Sequence, residues 1–205
     1  MPRLGVYSDF MTEPKETRRS YHHGNLRASL IEEALRVIEA EGPGALNLRD
    51  LARRLGVSHA APAYHFADKT ALLTAIAAEG YERLSDGLER AADAGFLETG
   101  LAYARFAVEN PGYVRVMFEP SLYRQDEESV AAARRRSAGL LFQSAGGPAD
   151  ADARRVGLAG WCLMHGFAML WLQGNLREAG DDPETAARRL ASVAFGGAPR
   201  SAGDG

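Results

Sequence analysis

Asn47-Leu48-Arg49-Asp50-Leu51-Ala52-Arg53-Arg54-Leu55-Gly56-Val57-Ser58-His59-Ala60-Ala61-Pro62-Ala63-Tyr64-His65-Phe66 is the stretch whose reading decides the fold. Asn47 suits a helix N-cap, and Asp50 three residues on can complete a capping-box-like start. Leu48, Leu51, Ala52 and Leu55 recur at helical spacing and make one apolar stripe, from which Arg49, Arg53 and Arg54 fall away. Gly56 can take the left-handed conformation that stops the helix, Val57 can fold back as its hydrophobic partner, and Ser58 is positioned to cap a second helix. The second helix carries few large apolar residues, so most of it need not be buried. Two short helices of this kind form a helix-turn-helix, whose second member enters a DNA major groove. Such pairs also occur in ordinary helical proteins, and the flanking sequence has to decide between the two readings.

Outward from the motif, the N-terminal side offers a clear amphipathic helix. Asn25 is its expected cap, and Leu26, Leu30, Ile31, Ala34, Leu35 and Ile38 share one face until Gly42-Pro43-Gly44 ends it. Residues 1–20 lack apolar period and read as a disordered, mildly basic arm, which could either stay solvated or lie along DNA. On the C-terminal side, Pro62 sits just beyond the first turn counted from Ser58. It removes the first internal hydrogen bond there, so the second motif helix is expected to be short or partly 3-10. Asp68 caps a longer helix from Lys69 whose face of Leu72, Leu73, Ile76, Tyr81, Leu84 and Leu88 outruns what the motif needs and reads as a connector.

At 205 residues the chain can hold one good core or two small helical domains, and 46% apolar with 25% charged residues is the composition of a globular protein. The single cysteine, Cys162, excludes an internal disulfide and points to a reducing compartment. No apolar signal segment opens the sequence, and the longest apolar run, residues 158–172, is interrupted by His165, so a cytoplasmic location without membrane spans is expected. The net charge of -3 gives no global attraction to phosphate. Its distribution is uneven, with ten Lys plus Arg against nine Asp plus Glu up to Lys69, and fourteen against eighteen beyond it; four of the five histidines lie in the first part. The more basic segment is the one with the motif.

From residue 25 to about 84 the sequence resembles the DNA-binding domain of the TetR (tetracycline-repressor) family of transcriptional regulators. The resemblance rests on Leu46-Asn47-Leu48-Arg49-Asp50-Leu51-Ala52-Arg53-Arg54-Leu55-Gly56-Val57-Ser58, followed without a gap by His65-Phe66-Ala67-Asp68-Lys69-Thr70-Ala71-Leu72-Leu73. It implies that Asn47, Arg49, Ser58, His59, Ala60, Ala61, Tyr64 and His65 face DNA and that Lys69 meets a phosphate. One departure stands out. The family has an apolar residue and then a backbone-contacting tyrosine where this sequence has Pro62 and Ala63; Tyr64 comes one residue late, about 100 degrees round a helix. Either Tyr64 takes over the contact or the contact is absent.

Beyond residue 84, apolar spacing predicts helices over 96–110, 113–118 and 126–144, with Arg134-Arg135-Arg136 as a solvated face. Residues 158–172 are apolar nearly all round and must be buried on every side, one side needing a partner. A last helix, opened by Asp182-Pro183, carries Ala186, Ala187, Leu190, Val193, Ala194 and Phe195. The phrase Glu109-Asn110-Pro111-Gly112-Tyr113 and the spacing Trp161-x-x-x-His165-Gly166 resemble one class of ligand-binding C-terminal domain that accompanies this DNA-binding domain. That resemblance implies that the last two long helices pair with those of a second subunit as a four-helix interface. A single monomeric core is the simpler alternative.

These readings combine into an all-α expectation: a three-helix DNA-binding domain over 21–84 with its helix-turn-helix at 47–66, joined by a connecting helix to a ligand-binding and dimerisation domain over 85–196, with a flexible tail over 197–205. The expected partners are double-stranded DNA with a palindromic operator, a second copy of the chain and a small-molecule effector. Tyr103, Phe106, Met117, Phe118, Trp161, Met164 and His165 are candidate effector contacts, although aromatics at helical spacing are more often plain core. No cofactor or metal is expected, because His165 has no second His or Cys at ligand spacing and Cys162 lies only three residues away. No phosphate loop or nucleophile motif suggests an enzyme. A ligand-independent DNA-binding or architectural protein is the competing reading.

Overall fold

A computed structural model describes residues 26–147, 149–176 and 182–195. Asn25, the arm over 1–20 and the tail over 197–205 lie outside the described residues. Among those described, every regular element is helical: α1 (Leu26–Glu41), α2 (Leu48–Leu55), α3 (Lys69–Ala92), α4 (Phe96–Glu109), α5 (Pro111–Met117), α6 (Glu128–Ser144), α7 (Ala151–Leu172) and α8 (Pro183–Phe195). Short 3-10 turns at Pro43–Ala45, Ala61–Tyr64 and Pro120–Leu122 connect them. None of these helices is long and apolar enough to cross a membrane.

Local chemistry sets the boundaries in the first part. Asn47 Oδ1 accepts from the Arg49 N–H at 2.9 Å, and Gly56 ends α2 with φ 68°, a left-handed backbone that an L side chain adopts only at a cost. Val57 N–H returns to the Ala52 carbonyl at 3.0 Å and completes the stop. Asp50 does not complete a capping box; it pairs with Arg53 at 2.9 Å, one turn along. Leu30, Ile31, Ala34 and Ile38 of α1 bury against Leu51 of α2 and against Leu46, Phe66, Leu72 and Leu73. Arg54 straps the outside of this packing, reaching Glu33 and Glu41 of α1.

The second motif element departs from expectation in where it begins. Ser58 caps nothing; its carbonyl accepts from the Ala61 N–H at 3.0 Å, and the 3-10 turn runs only from Ala61 to Tyr64. Pro62 therefore falls inside the first turn, where its missing N–H costs nothing, and its ring is buried. Phe66, also buried, closes the segment by donating its N–H to the Pro62 carbonyl at 2.9 Å.

Helix α3 is capped by Asp68, whose Oδ1 accepts the Ala71 N–H at 2.6 Å. That bond and the neighbouring Arg124 guanidinium hold the Asp68 carboxyl below the usual carboxylate range. Twenty-four residues long, α3 leaves the motif and packs along α6 with α4 and α5 beside it. Arg136 decides that packing and corrects the solvated-face reading: its guanidinium reaches Glu82, Asp86 and Glu89 of α3 at 2.7, 3.0 and 2.6 Å. Three carboxylates on successive turns of one helix converge on one fork of donors, a geometry that isolated surface pairs lack. Arg135 pairs with Glu128 of its own helix.

Helix α7 is not buried all round within the chain. Ala153, Gly157, Gly160, Met164, Phe167 and Ala168 form the inner face, while Leu158, Cys162, Leu170 and Leu172 are exposed. On α8, Ala187 and Ala191 are buried and Leu190, Val193 and Phe195 are exposed. The ion pairs Arg188–Glu98 and Arg105–Glu184 dock α8 on α4.

Candidate nucleic-acid interface and effector cavity

The motif presents a polar surface on an apolar base. Ser58, His59, Ala60, Ala63, Tyr64 and His65 are exposed, Ala61 is half-buried, and Pro62 and Phe66 point inward. Tyr64 is 87% exposed and its hydroxyl has no hydrogen bond among the described residues, so it is available to a ligand. Two buried anchors four residues apart thus hold a short, exposed turn whose outer side chains are free. Asn47 and Arg49 are exposed at the start of α2, although Asn47 spends one oxygen on its cap. Lys69 is placed differently from a freely projecting phosphate anchor: its Nζ donates to the Gly44 carbonyl at 2.9 Å and ties the start of α3 to the loop before α2. Two of its three ammonium protons remain for an outside acceptor.

A second feature lies in the helical body. A cavity of about 360 Å³ opens between α3, the α5–α6 connection, α6 and α7. Tyr81, Leu84, Tyr103, Met117, Tyr123 and Ser137 are its buried wall, while Pro120 and Arg134 are exposed and mark its mouth. The phenols are satisfied internally. Tyr81 and Tyr123 both donate to the Met117 carbonyl, at 3.1 and 3.0 Å, and Tyr103 Oη lies 2.7 Å from His165 Nδ1. Burial pushes the Tyr81 and Tyr103 hydroxyls above the usual phenol range and the His165 imidazole below its ordinary value, so all three are neutral near pH 7.

Of the residues expected to contact an effector, Tyr103, Met117, Phe118 and Trp161 do line this cavity. Phe106, Met164 and His165 do not. Phe106 faces a charged groove between α3 and α4, and Met164 borders a narrow crevice beside Phe96 and Gly160. His165 stands behind the wall, its ring 4.5 Å from that of Phe118, where it positions Tyr103. The sequence reading missed Tyr81, Tyr123 and Arg134. A signal for Arg134 existed: with Ser137, Ala138 and Leu141 it sits at i, i+3, i+4 and i+7, on the apolar stripe of α6 and not opposite it.

One segment joins the two features. Met117, Phe118, Pro120 and Tyr123 line the cavity, and the residues flanking them grip the helix-turn-helix half. Gly112 N–H donates to Glu39 Oε1 at 3.2 Å, Arg115 donates to the Ile38 and Glu39 carbonyls at the end of α1, and Arg124 bonds Asp68 Oδ2 at 2.8 Å. The Arg124 N–H also donates to Thr74 Oγ1 at 3.1 Å. Gly112 permits this approach, since a Cβ there would lie 2.9 Å from Glu39 Oε1.

Comparison with known proteins gives these features a class. Residues 30–76 match the model of the bacterial regulatory proteins of the tetR family, and residues 96–194 match that of the tetracyclin repressor-like C-terminal domain. Among solved structures, a Rhodococcus protein of unknown function is 33% identical, with 86% of this chain and 96% of that one covered and a TM-score of 0.70. The TetR family transcriptional regulator PfmR from Thermus thermophilus shares the fold at 24% identity, with 83% and 99% covered and a TM-score of 0.65. A bacterial regulatory protein in the tetR family from Rhodococcus does so at 22% identity, with 82% and 94% covered and a TM-score of 0.64. A search of the curated proteins gives no match. The helix-turn-helix and the cavity-bearing helical body are thus the two domains of a DNA-binding regulator of transcription. The chain belongs to the TetR family of such regulators, whose members bind DNA and act as dimers.

Proposed function

We propose that this regulator is a repressor that grips a palindromic operator as a two-fold dimer and is released when a small molecule occupies the cavity between α3, α6 and α7. The observation that carries the reading is the shared segment 112–124, which is cavity wall on one side and clamp on α1 and Asp68 on the other. A molecule that moves Met117 or Phe118 also moves the groups that fix the motif relative to α3. Coupling between two sites then needs only a difference in effector affinity between the two arrangements, typically 5- to 150-fold in the family of such effects, or about 1–3 kcal/mol. In this reading the DNA-binding unit ends near residue 84, inside α3, and the remainder binds the effector and dimerises.

On the DNA side, Arg49, Ser58, His59, Ala60, Ala61, Tyr64 and His65 face the major groove and its rims, with Asn47 and Lys69 at the phosphates. The exposure of this set on a rigid base supports the assignment. Selection of bound sequences from random DNA, followed by fluorescence anisotropy on the selected site, tests it; recovery of a palindrome is expected, and recovery of no preferred sequence overturns it.

Two substitutions separate the roles. Tyr64→Ala is expected to cost about 1–3 kcal/mol of operator affinity with thermal stability unchanged, since the side chain is solvent-exposed and its only use is outside the chain. Lys69→Ala is expected to weaken binding to all sequences alike and to lower the slope of log K against log salt by about one unit. Because Lys69 also holds the Gly44 carbonyl, it should lose stability of about 1 kcal/mol as well.

The coupling can be tested without the natural effector. Ala138→Trp projects an indole into the cavity in place of a ligand. It is expected to lower operator affinity about tenfold in the otherwise unaltered chain. In an Arg115→Ala, Arg124→Ala background the same indole should change affinity by less than about threefold, because the clamps on α1 and Asp68 are gone. An equal loss in both backgrounds, measured by anisotropy, refutes the clamp.

A further inference from the structure

The cavity's own chemistry narrows what can occupy it. Rings of Tyr81, Tyr103, Phe118, Phe142 and Trp161 form its walls, with Leu84, Met117 and Leu141 between them. No carboxylate lines it. Its phenols already have partners, and Ser137 Oγ donates to the Arg134 carbonyl at 3.0 Å. Of the lining side chains only Arg134 is charged, and its guanidinium is unspent among the described residues. Its neighbours on α6 are neutralised, Arg135 by Glu128 and Arg136 by Glu82, Asp86 and Glu89, while the Arg134 guanidinium has neither an ion pair nor a hydrogen bond among the described residues. A cation without a counterion at the mouth of an aromatic cavity is a recognition group for an anion that enters ring first.

Resting on the reading that this cavity takes the effector, we propose that the effector is a flat aromatic monoanion, its ring system held among Tyr81, Phe118 and Trp161 and its carboxylate paired with Arg134 at the mouth. Size follows from the volume. At about 360 Å³ the cavity falls in the roughly 300–1,000 Å³ range of small-molecule sites, with room for two fused rings and one small polar group. Aromatic walls favour offset or edge-on contact with such rings over the looser packing of a flexible chain. Bidentate pairing with a guanidinium selects a carboxylate over the neutral amide of the same shape.

Naphthalene-2-carboxylate and its neutral isostere naphthalene-2-carboxamide are the probes, titrated calorimetrically into the full chain. The carboxylate is expected to bind at least tenfold more tightly than the amide. In Arg134→Gln, which removes the guanidinium and leaves a neutral side chain at the mouth, that preference should fall to within about twofold with the amide's affinity unaltered. Ala138→Trp should abolish binding of both. Failure of the carboxylate to bind at millimolar concentration, equal affinity for the two probes, or a preference that survives Arg134→Gln overturns the proposal. Operator affinity is measured on the same samples. Sound operator binding without probe selectivity refutes this inference alone, whereas probe selectivity with no effect on operator affinity leaves the anion site standing and refutes the effector reading.

Discussion

Leu190→Glu combined with Val193→Glu is expected to convert the dimer to a folded monomer and to weaken operator binding by at least about 100-fold. Both residues are exposed on α8, Val193 at 73% and Leu190 at 36%, and holding the helix on its own chain rests mainly on buried side chains and ion pairs. That task falls to Ala187, Ala191 and the ion pairs to Glu98 and Arg105. Leu158, Leu170 and Leu172 of the adjacent α7 are likewise apolar side chains that a single subunit presents to water. Apolar area of this kind is covered in a stable protein, and burying each such side chain contributes about 1.5–3 kcal/mol. A two-fold axis brings each substituted residue in twice, so four carboxylates replace four apolar groups, and each 1.4 kcal/mol lost is a factor of about ten in dissociation constant. Operator binding fails with the dimer, because a two-fold protein gains its affinity from two half-sites about 34 Å or somewhat further apart on one DNA face. Sedimentation velocity at micromolar concentration reads the assembly state and circular dichroism the fold. A variant that stays dimeric with full operator affinity would sink the α7–α8 interface.

Phe66→Ala is the second large effect. The ring is 3% exposed, sits under the recognition turn and receives the Arg27 guanidinium 5.5 Å from its centroid. Truncating a buried phenylalanine costs about 3–5 kcal/mol, a large share of the 5–15 kcal/mol that holds a domain together. At about 2–4 °C per kcal/mol for a chain of this length, the loss corresponds to roughly 6–20 °C in melting temperature if the molecule unfolds as one unit. Operator binding should fall further than stability accounts for, since Phe66 and Pro62 are the two anchors that present Tyr64 and His65. Phe66→Leu, which keeps most of the buried volume, should recover most of both. Differential scanning calorimetry paired with anisotropy decides it, and a Phe66→Ala protein with unaltered operator affinity at 15 °C would show that the recognition turn does not depend on its base.

How the motif recruits its partners differs from one residue to the next. Asn47, Gly56 and Asp68 act as the sequence pattern predicts, because a cap or a left-handed stop involves atoms within three or four residues of one another. Ser58 does not act as predicted. The capping rule locates a hydroxyl that could start a helix, but the burial of Pro62 and Phe66 against α1 and α3 decides where the turn begins, three residues later. Lys69 reads locally as an exposed cation at a helix start; its bond to Gly44 spans 25 residues and depends on how the loop before α2 folds back.

The same division runs through the helical body. Periodicity and capping chemistry determine, from the sequence alone, that the described chain is all-helical, where most helices lie, that residues 47–66 form a helix-turn-helix, and that residues 158–172 are apolar nearly all round. These are properties of neighbours a few residues apart, and no tertiary contact is needed to read them. Tertiary packing alone decides that Arg136 gathers three carboxylates of α3 while Arg134, two residues earlier, stands at the mouth of a cavity with no ion pair among the described residues. It also decides that Tyr103 meets His165 across 62 residues and that the segment behind Phe118 clasps the end of α1. Side chains two positions apart on a helix point about 200 degrees from one another, so which of two arginines meets a carboxylate and which a cavity depends on the angle at which the neighbouring helices cross, a quantity set by the packing of the whole core.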